Sequence, residues 1–97
     1  MFKTLKATHL ASLISMHIEM AYKLPGDPRN GERIRAAYRS LTELLNLNLP
    51  IDCISVQVAT RNAIYLTSVR ESLKSADDVQ LLDDMHDYFT EKSKERR

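Results

Sequence analysis

All the helix-breaking residues of this 97-residue chain lie between positions 25 and 50: Pro25, Gly26, Pro28, Gly31 and Pro50. Proline lacks a backbone N–H donor, and glycine costs about 1 kcal/mol relative to alanine inside a helix. Residues 1–24 and 51–97 contain neither residue type, so both stretches are free to be helical. A third stretch, residues 32–47, is free to be helical between the breakers.

Apolar residues recur through these stretches at three- and four-residue spacing, which is typical of helices that bury one face against a core. The pattern predicts helices over residues 5–24, 30–47, 52–74 and 76–93. Residues 25–31 form a linker between helices, and residues 92–97 form a charged tail. Short links favour antiparallel neighbours. We therefore expect residues 1–97 to fold as one all-α domain, a small bundle of three or four helices.

The helix boundaries carry their own signals. Asp27 or Asn30 is expected to cap the second helix, and Asp52 the third. Ser75 and Asp78 resemble a capping box at the start of the fourth helix. Residues 54–58 alternate apolar and polar side chains as a strand would, but a lone strand would leave its backbone groups unpaired. We therefore favour a helix there.

Composition excludes several classes of protein. The chain is 43% hydrophobic and 28% charged, as ordinary globular proteins are, and its net charge of +1 creates no global field for nucleic acid or anionic membranes. A single cysteine, Cys53, excludes an internal disulfide and favours a cytoplasmic location. The longest apolar run, residues 10–20, is interrupted by polar side chains and falls short of the ~20 apolar residues of a membrane span.

The sequence contains no strong catalytic motif. It has no glycine-rich phosphate loop, no convincing triad and no complete set of metal ligands. Asp83, His86 and Asp87 fall on one helical face, but without a second ligand cluster we interpret them as a solvated acidic face. Cys53 is expected to be packed and inert. We therefore predict a protein that is not an enzyme and has no catalytic residues, bound metal or cofactor.

Protein binding has the more consistent support. The third helix has apolar residues on two sides, which predicts a homodimer, and methionines lie beside the main stripe of the first helix. Residues 77–91 hold six carboxylates and no lysine or arginine, a block that could steer a partner electrostatically. The function expected is that of a small regulatory or adaptor protein that inhibits or remodels a larger protein partner. The candidate contact residues are Met16, Met20, Val56, Ala63, Leu66, Asp83, Asp84 and Asp87.

The alternative hypothesis is a small helical DNA-binding transcription regulator. Four arginines cluster on and before the second helix, and one more lies on the third. The connection between those two helices lacks the glycine turn that helix-turn-helix motifs favour, so the DNA-binding hypothesis is weaker than the protein-binding one. Its candidate nucleic-acid contacts are Arg29, Arg33, Arg35, Arg39 and Arg61.

Overall fold

The computed structural model describes residues 2–49 and 53–95, and four α-helices account for most of them. These are α1 (Phe2–Lys23), α2 (Asn30–Leu45), α3 (Val56–Val69) and α4 (Ala76–Ser93), and a 3-10 turn (Arg70–Ser72) continues α3. No strand occurs in the described ranges. The predicted all-α bundle is confirmed, with four helices.

The helices form two antiparallel hairpins, α1–α2 and α3–α4, that pack side by side. Helix α1 packs on α3 and runs parallel to it. Thr8, in the first half of α1, lies beside Cys53, which precedes α3; Tyr22, near the end of α1, stacks on Tyr65, in the second half of α3, with ring centroids 4.1 Å apart. Helix α2 packs on α4 and is also parallel to it, since Arg35 in the first half of α2 pairs with Asp78 in the first turn of α4. As a result α1 and α4 lie diagonally across the bundle from each other.

One core runs the length of the bundle, and each helix contributes one face to it. Aliphatic side chains of α1 and α2 meet the inward faces of α3 and α4, as the three- and four-residue spacing requires. Removal of this apolar surface from water is the main stabilising term in such a domain. The largest fully buried side chains include Phe89, Ile14, Ile18, Ile34, Leu66, Leu82 and Met85.

Several predicted boundaries need correction. Helix α3 begins at Val56 rather than 52, because Ser55 adopts an extended backbone and its Oγ accepts a hydrogen bond from the Val58 N–H at 3.1 Å. The predicted cap, Asp52, lies outside the described residues. The third helix also ends early, since Leu73 has an extended backbone.

Two other helices also differ from the predicted bounds. Helix α1 spans Phe2–Lys23 instead of residues 5–24, and helix α2 stops at Leu45, two residues before the predicted end. Helix α4 spans Ala76–Ser93, as predicted, and Arg96 and Arg97 of the charged tail lie outside the described residues.

The turn between α1 and α2 uses Asp27 and Asn30 differently from the prediction. Arg29 occupies the N-cap position of α2, but its side chain makes no capping hydrogen bond to the helix backbone; Asp27 Oδ1 accepts the Arg29 backbone N–H at 2.8 Å within the turn. Asn30 is fully buried and donates its amide to the carbonyls of Ala21 and Leu24, at 3.3 and 2.9 Å. Asn30 thus gives the Ala21 carbonyl, in the last turn of α1, a hydrogen-bond donor, and it is a second donor to the Leu24 carbonyl, which also accepts the Asp27 N–H at 3.1 Å.

The predicted N-cap Ser75 of α4 is confirmed, whereas the Asp78 carboxylate, instead of completing a capping box, joins the two hairpins. Ser75 Oγ accepts the Asp78 N–H, and the buried Asp78 carboxylate accepts two hydrogen bonds from Arg35 Nη1 of α2, at 2.8 and 2.9 Å. Nearby, the Gly26 N–H donates to Ser72 Oγ at 3.0 Å, which ties one hairpin turn to the other.

Candidate functional site

The outward face of α1 carries a second row of apolar side chains. Phe2 is 87% exposed, Leu5 63%, Met16 48% and Met20 47%, and the half-buried Leu13 lies between them. Their spacing follows one side of a helix, with His9 in the gap. We call Phe2, Leu5, Leu13, Met16 and Met20 the outer stripe. Exposed apolar side chains grouped on one face of a helix mark interaction sites more often than isolated apolar residues do.

The outer stripe makes α1 the helix with two apolar sides. The sequence predicts that property for the third helix, and the outward face of α3 carries fewer exposed apolar residues than α1, with Ile64 beside the half-buried Val56. Leu66 is fully buried in the core, so as a partner contact it is wrong for this fold. Val56 and Ala63 are half-buried, and the exposed apolar residue of α3 is Ile64, at 61%.

A groove between α1 and α2 adjoins the outer stripe. His17 of α1 lines it, and it faces Glu32, Arg33, Arg35, Ala36 and Arg39 of α2 across a volume of about 370 Å³. His17 lies four residues after Leu13 and three before Met20, so it is their direct neighbour on the helix surface. We call this feature the basic groove. The outer stripe and the basic groove therefore form one continuous surface.

The arginines of the basic groove differ in how far they are neutralised. Arg33 is mostly buried; its Nη1 donates to Asn30 Oδ1 at 2.7 Å and lies 3.5 Å from Asp27 Oδ1. Arg39 forms no hydrogen bond or ion pair with any residue of the two described ranges. The outer part of the groove therefore holds a guanidinium group that is not engaged in an ion pair, with Glu32 and Glu43 as the nearest carboxylates on α2.

His17 responds to this positive potential. Partial burial, followed by the guanidinium groups of Arg39 and Arg33, lowers the pKa of His17 below its ordinary value of 6.5. Since the pKa is lower in the folded state than in the unfolded chain, protonation of His17 opposes folding. The contribution of the neutral imidazole to stability is present above pH 6.5 and is lost as the pH falls below that value.

We expect Arg39→Ala to raise the pKa of His17, because one of the two cations that disfavour the imidazolium is removed. A nuclear magnetic resonance titration of the His17 ring protons measures this directly. Arg61→Ala is the matched control, because Arg61 lies on α3 and should leave the pKa of His17 unchanged. An unchanged or lower pKa of His17 in Arg39→Ala would show that Arg39 does not act on the groove.

The remaining predicted nucleic-acid contacts do not form one basic face. Arg29 lies 3.4 Å from the Asp27 carboxylate, and Arg35 is paired with Asp78. Arg61, on α3, lies over the Tyr65 ring with 5.9 Å from guanidinium carbon to ring centroid. Carboxylates thus neutralise part of the arginine set, and the rest is divided between two helices that lie on different sides of the bundle.

The acidic residues predicted to contact a partner lie on α4. Asp83 accepts two hydrogen bonds from Arg70, at 2.9 and 3.2 Å, and these lower the pKa of Asp83. Asp84 accepts from Gln80, and Asp87 lies 3.9 Å from His86 Nδ1. Among the described residues no group of three ligating side chains is placed to hold a metal ion. Because α4 is diagonal to α1, this face is separate from the outer stripe.

Sequence reasoning missed several features. Cys53 is exposed and lies 3.4 Å from Thr8 Oγ1, so the expectation of a packed thiol is wrong. Asn62 is buried between α1 and α3, where its amide donates to Ser15 Oγ at 3.3 Å. The outer stripe could have been found from the spacing of positions 2, 5, 13, 16 and 20. The basic groove could not, because it depends on how α1 and α2 pair.

No protein-family model, curated protein or solved structure matches this chain. Within residues 2–49 and 53–95, no helix has both the length and the apolar character needed to cross a bilayer.

Proposed function

We propose that this chain is a small, non-enzymatic regulatory protein of the cytoplasm that binds a larger protein and inhibits or remodels it. The observation that supports this proposal best is the outer stripe: four large apolar side chains of α1, each about half exposed or more, that no other helix of the bundle covers. Binding uses this face of α1 as a preformed helix.

The physical properties of α1 suit this role. Its opposite face is held in the core by Leu10, Ile14 and Ile18, so the helix is ordered before a partner arrives. A preformed helix loses little conformational entropy on binding. Full burial of a large apolar side chain contributes about 1.5–3 kcal/mol, so several partly exposed side chains together can support a stable complex. Methionine adapts to irregular surfaces, as Met16 and Met20 would at an interface.

The DNA-binding hypothesis has less support. Three of its five arginines, Arg29, Arg33 and Arg35, lie beside carboxylates, which reduces the charge available to phosphates. It stays a prediction. If it is correct, the logarithm of the binding constant for duplex DNA should fall with the logarithm of the salt concentration with a slope of several units. The homodimer likewise stays a prediction; light scattering would give twice the 11.1 kDa monomer mass if it is correct.

The test is the double substitution Met16→Lys and Met20→Lys. Two ammonium groups on the outer stripe would have to be desolvated in the complex, so we expect affinity for the captured partner to fall at least tenfold. Both side chains are about half exposed, so the fold should be retained. The measurement is affinity capture with the tagged protein, followed by titration of the captured partner.

Ile64→Lys is the control, because it places a lysine on an exposed apolar residue of α3 instead of α1. It should leave partner affinity within twofold of the unmodified protein. If Ile64→Lys abolishes capture while the double α1 variant binds normally, the interaction surface is on α3 and the proposal is wrong.

A further inference from the structure

We infer that the segment bound by the outer stripe is an acidic amphipathic helix of the partner, with carboxylates along the edge that faces the basic groove. This inference rests on the proposed function and adds the chemistry of the partner. It follows from two adjoining features, an apolar row and, beside one end of it, a groove in which arginines outnumber carboxylates and Arg39 forms no ion pair with another described residue.

The dimensions fit a helix. From Phe2 to Met20 the outer stripe extends over 18 residues, which is about 27 Å at 1.5 Å per residue. A partner helix of about five turns would cover it, with apolar residues at three- and four-residue spacing. The basic groove lies beside the Met16 and Met20 end, so the carboxylates belong at the corresponding end of the partner helix.

The charges favour acidic side chains at that edge. Three guanidinium groups and one carboxylate, that of Glu32, line the groove. Within the described ranges Arg39 forms no ion pair, although Glu43 lies one helical turn further along α2 and borders the adjoining surface with it. Arg33 is the more deeply buried arginine, with a side chain that is 12% exposed. Glu32 is the acidic residue lining the groove, while Glu43 pairs with Lys6 at 3.4 Å and Glu19 with Lys23 at 3.0 Å. The groove therefore attracts a carboxylate and repels a lysine or arginine, which sets specificity and orientation more than total affinity.

Two other occupants agree less well with this surface. Nucleic acid would bring phosphates to Arg39 but would leave the apolar row without matching contacts. A second copy could offer its acidic α4, yet Asp83 is already paired and none of the exposed large apolar residues in the described ranges lies on α4. The peptide experiment distinguishes nucleic acid and a second copy of the chain from a partner helix.

The experiment is a display selection with helical peptides of 18 residues. The apolar row is held constant, and the positions on its two flanks encode Glu, Gln, Lys or Ala. Against the unmodified full-length protein we expect Glu to be enriched at least fivefold on one flank. Against Arg39→Glu the same flank should become enriched in Lys, and the best Glu-bearing peptide should bind at least tenfold more weakly. Arg61→Glu is the control and should select the same peptides as the unmodified protein.

The outcomes separate the inference from the proposed function. Selected peptides without charge bias, or no enrichment at all, would overturn the acidic helix. If peptides without charge bias are selected and the double variant Met16→Lys, Met20→Lys no longer binds them, the proposed function is left intact. Peptides that bind that double variant normally would contradict the proposed function itself. Displacement of the peptide by duplex DNA at physiological salt, or by self-association in light scattering, would also overturn the inference.

Discussion

Phe89→Ala is expected to lower the free energy of unfolding by about 3–5 kcal/mol, because the ring is lost from the core and leaves a cavity. Phe89 is fully buried, and its ring meets Tyr88 edge-on with centroids 5.3 Å apart. A small domain is stable by about 5–15 kcal/mol, so this loss is a large fraction of the total. Urea denaturation followed by far-ultraviolet circular dichroism measures it.

Phe2→Ala is the matched control for this prediction, since it makes the same chemical change at a side chain that is 87% exposed. Its free energy of unfolding should stay within about 0.5 kcal/mol of the unmodified protein. Equal losses in the two variants, or a loss below about 1 kcal/mol for Phe89→Ala, would show that Phe89 is not part of a packed core.

Gly31→Ala is expected to destabilise the protein by about 1–2 kcal/mol, although alanine is the better helix former by about 1 kcal/mol. A Cβ at position 31 would lie 2.6 Å from Asp78 Oδ2. The Asp78 carboxylate would have to move away from Arg35, and hydrogen bonds to charged groups contribute about 1.5–3 kcal/mol. Because Arg35 is about half exposed, the lower part of that range applies.

The sign of this effect should reverse when the carboxylate is removed. In an Asp78→Ala background, Gly31→Ala meets no obstructing oxygen and should stabilise the protein by about 0.5–1 kcal/mol through helix propensity. Chemical denaturation of the four proteins in the double-mutant cycle measures both values. The same effect of Gly31→Ala in both backgrounds would contradict the close contact between Gly31 and Asp78.

The fold was predictable from the sequence where the signals are local. Prolines and glycines mark the turn between α1 and α2, and Ser75 marks the start of α4, because each acts on backbone atoms a few residues away. The start of α3 was placed too early because Asp52 and Ser55 are both good capping residues, and the sequence alone gives no way to choose between them.

The site was predictable only in part. Met16 and Met20 stood out from their spacing, whereas Phe2 was overlooked because the first helix was expected to start at residue 5. The basic groove depends on which helices pack together. The charge of Arg35 is neutralised by Asp78, a residue 43 positions away, and no local pattern reveals such a pair.

The most direct test of the interaction surface is photocrosslinking from single positions on different helices. A photoreactive amino acid is placed at Met16 or Met20 of α1, at Ile64 of α3, or at Asp84 of α4, all of which are exposed. The proposed function predicts covalent capture of one partner protein from the two α1 positions and none from Ile64 or Asp84. Capture of that partner from Ile64 or Asp84, with none from Met16 or Met20, would contradict it.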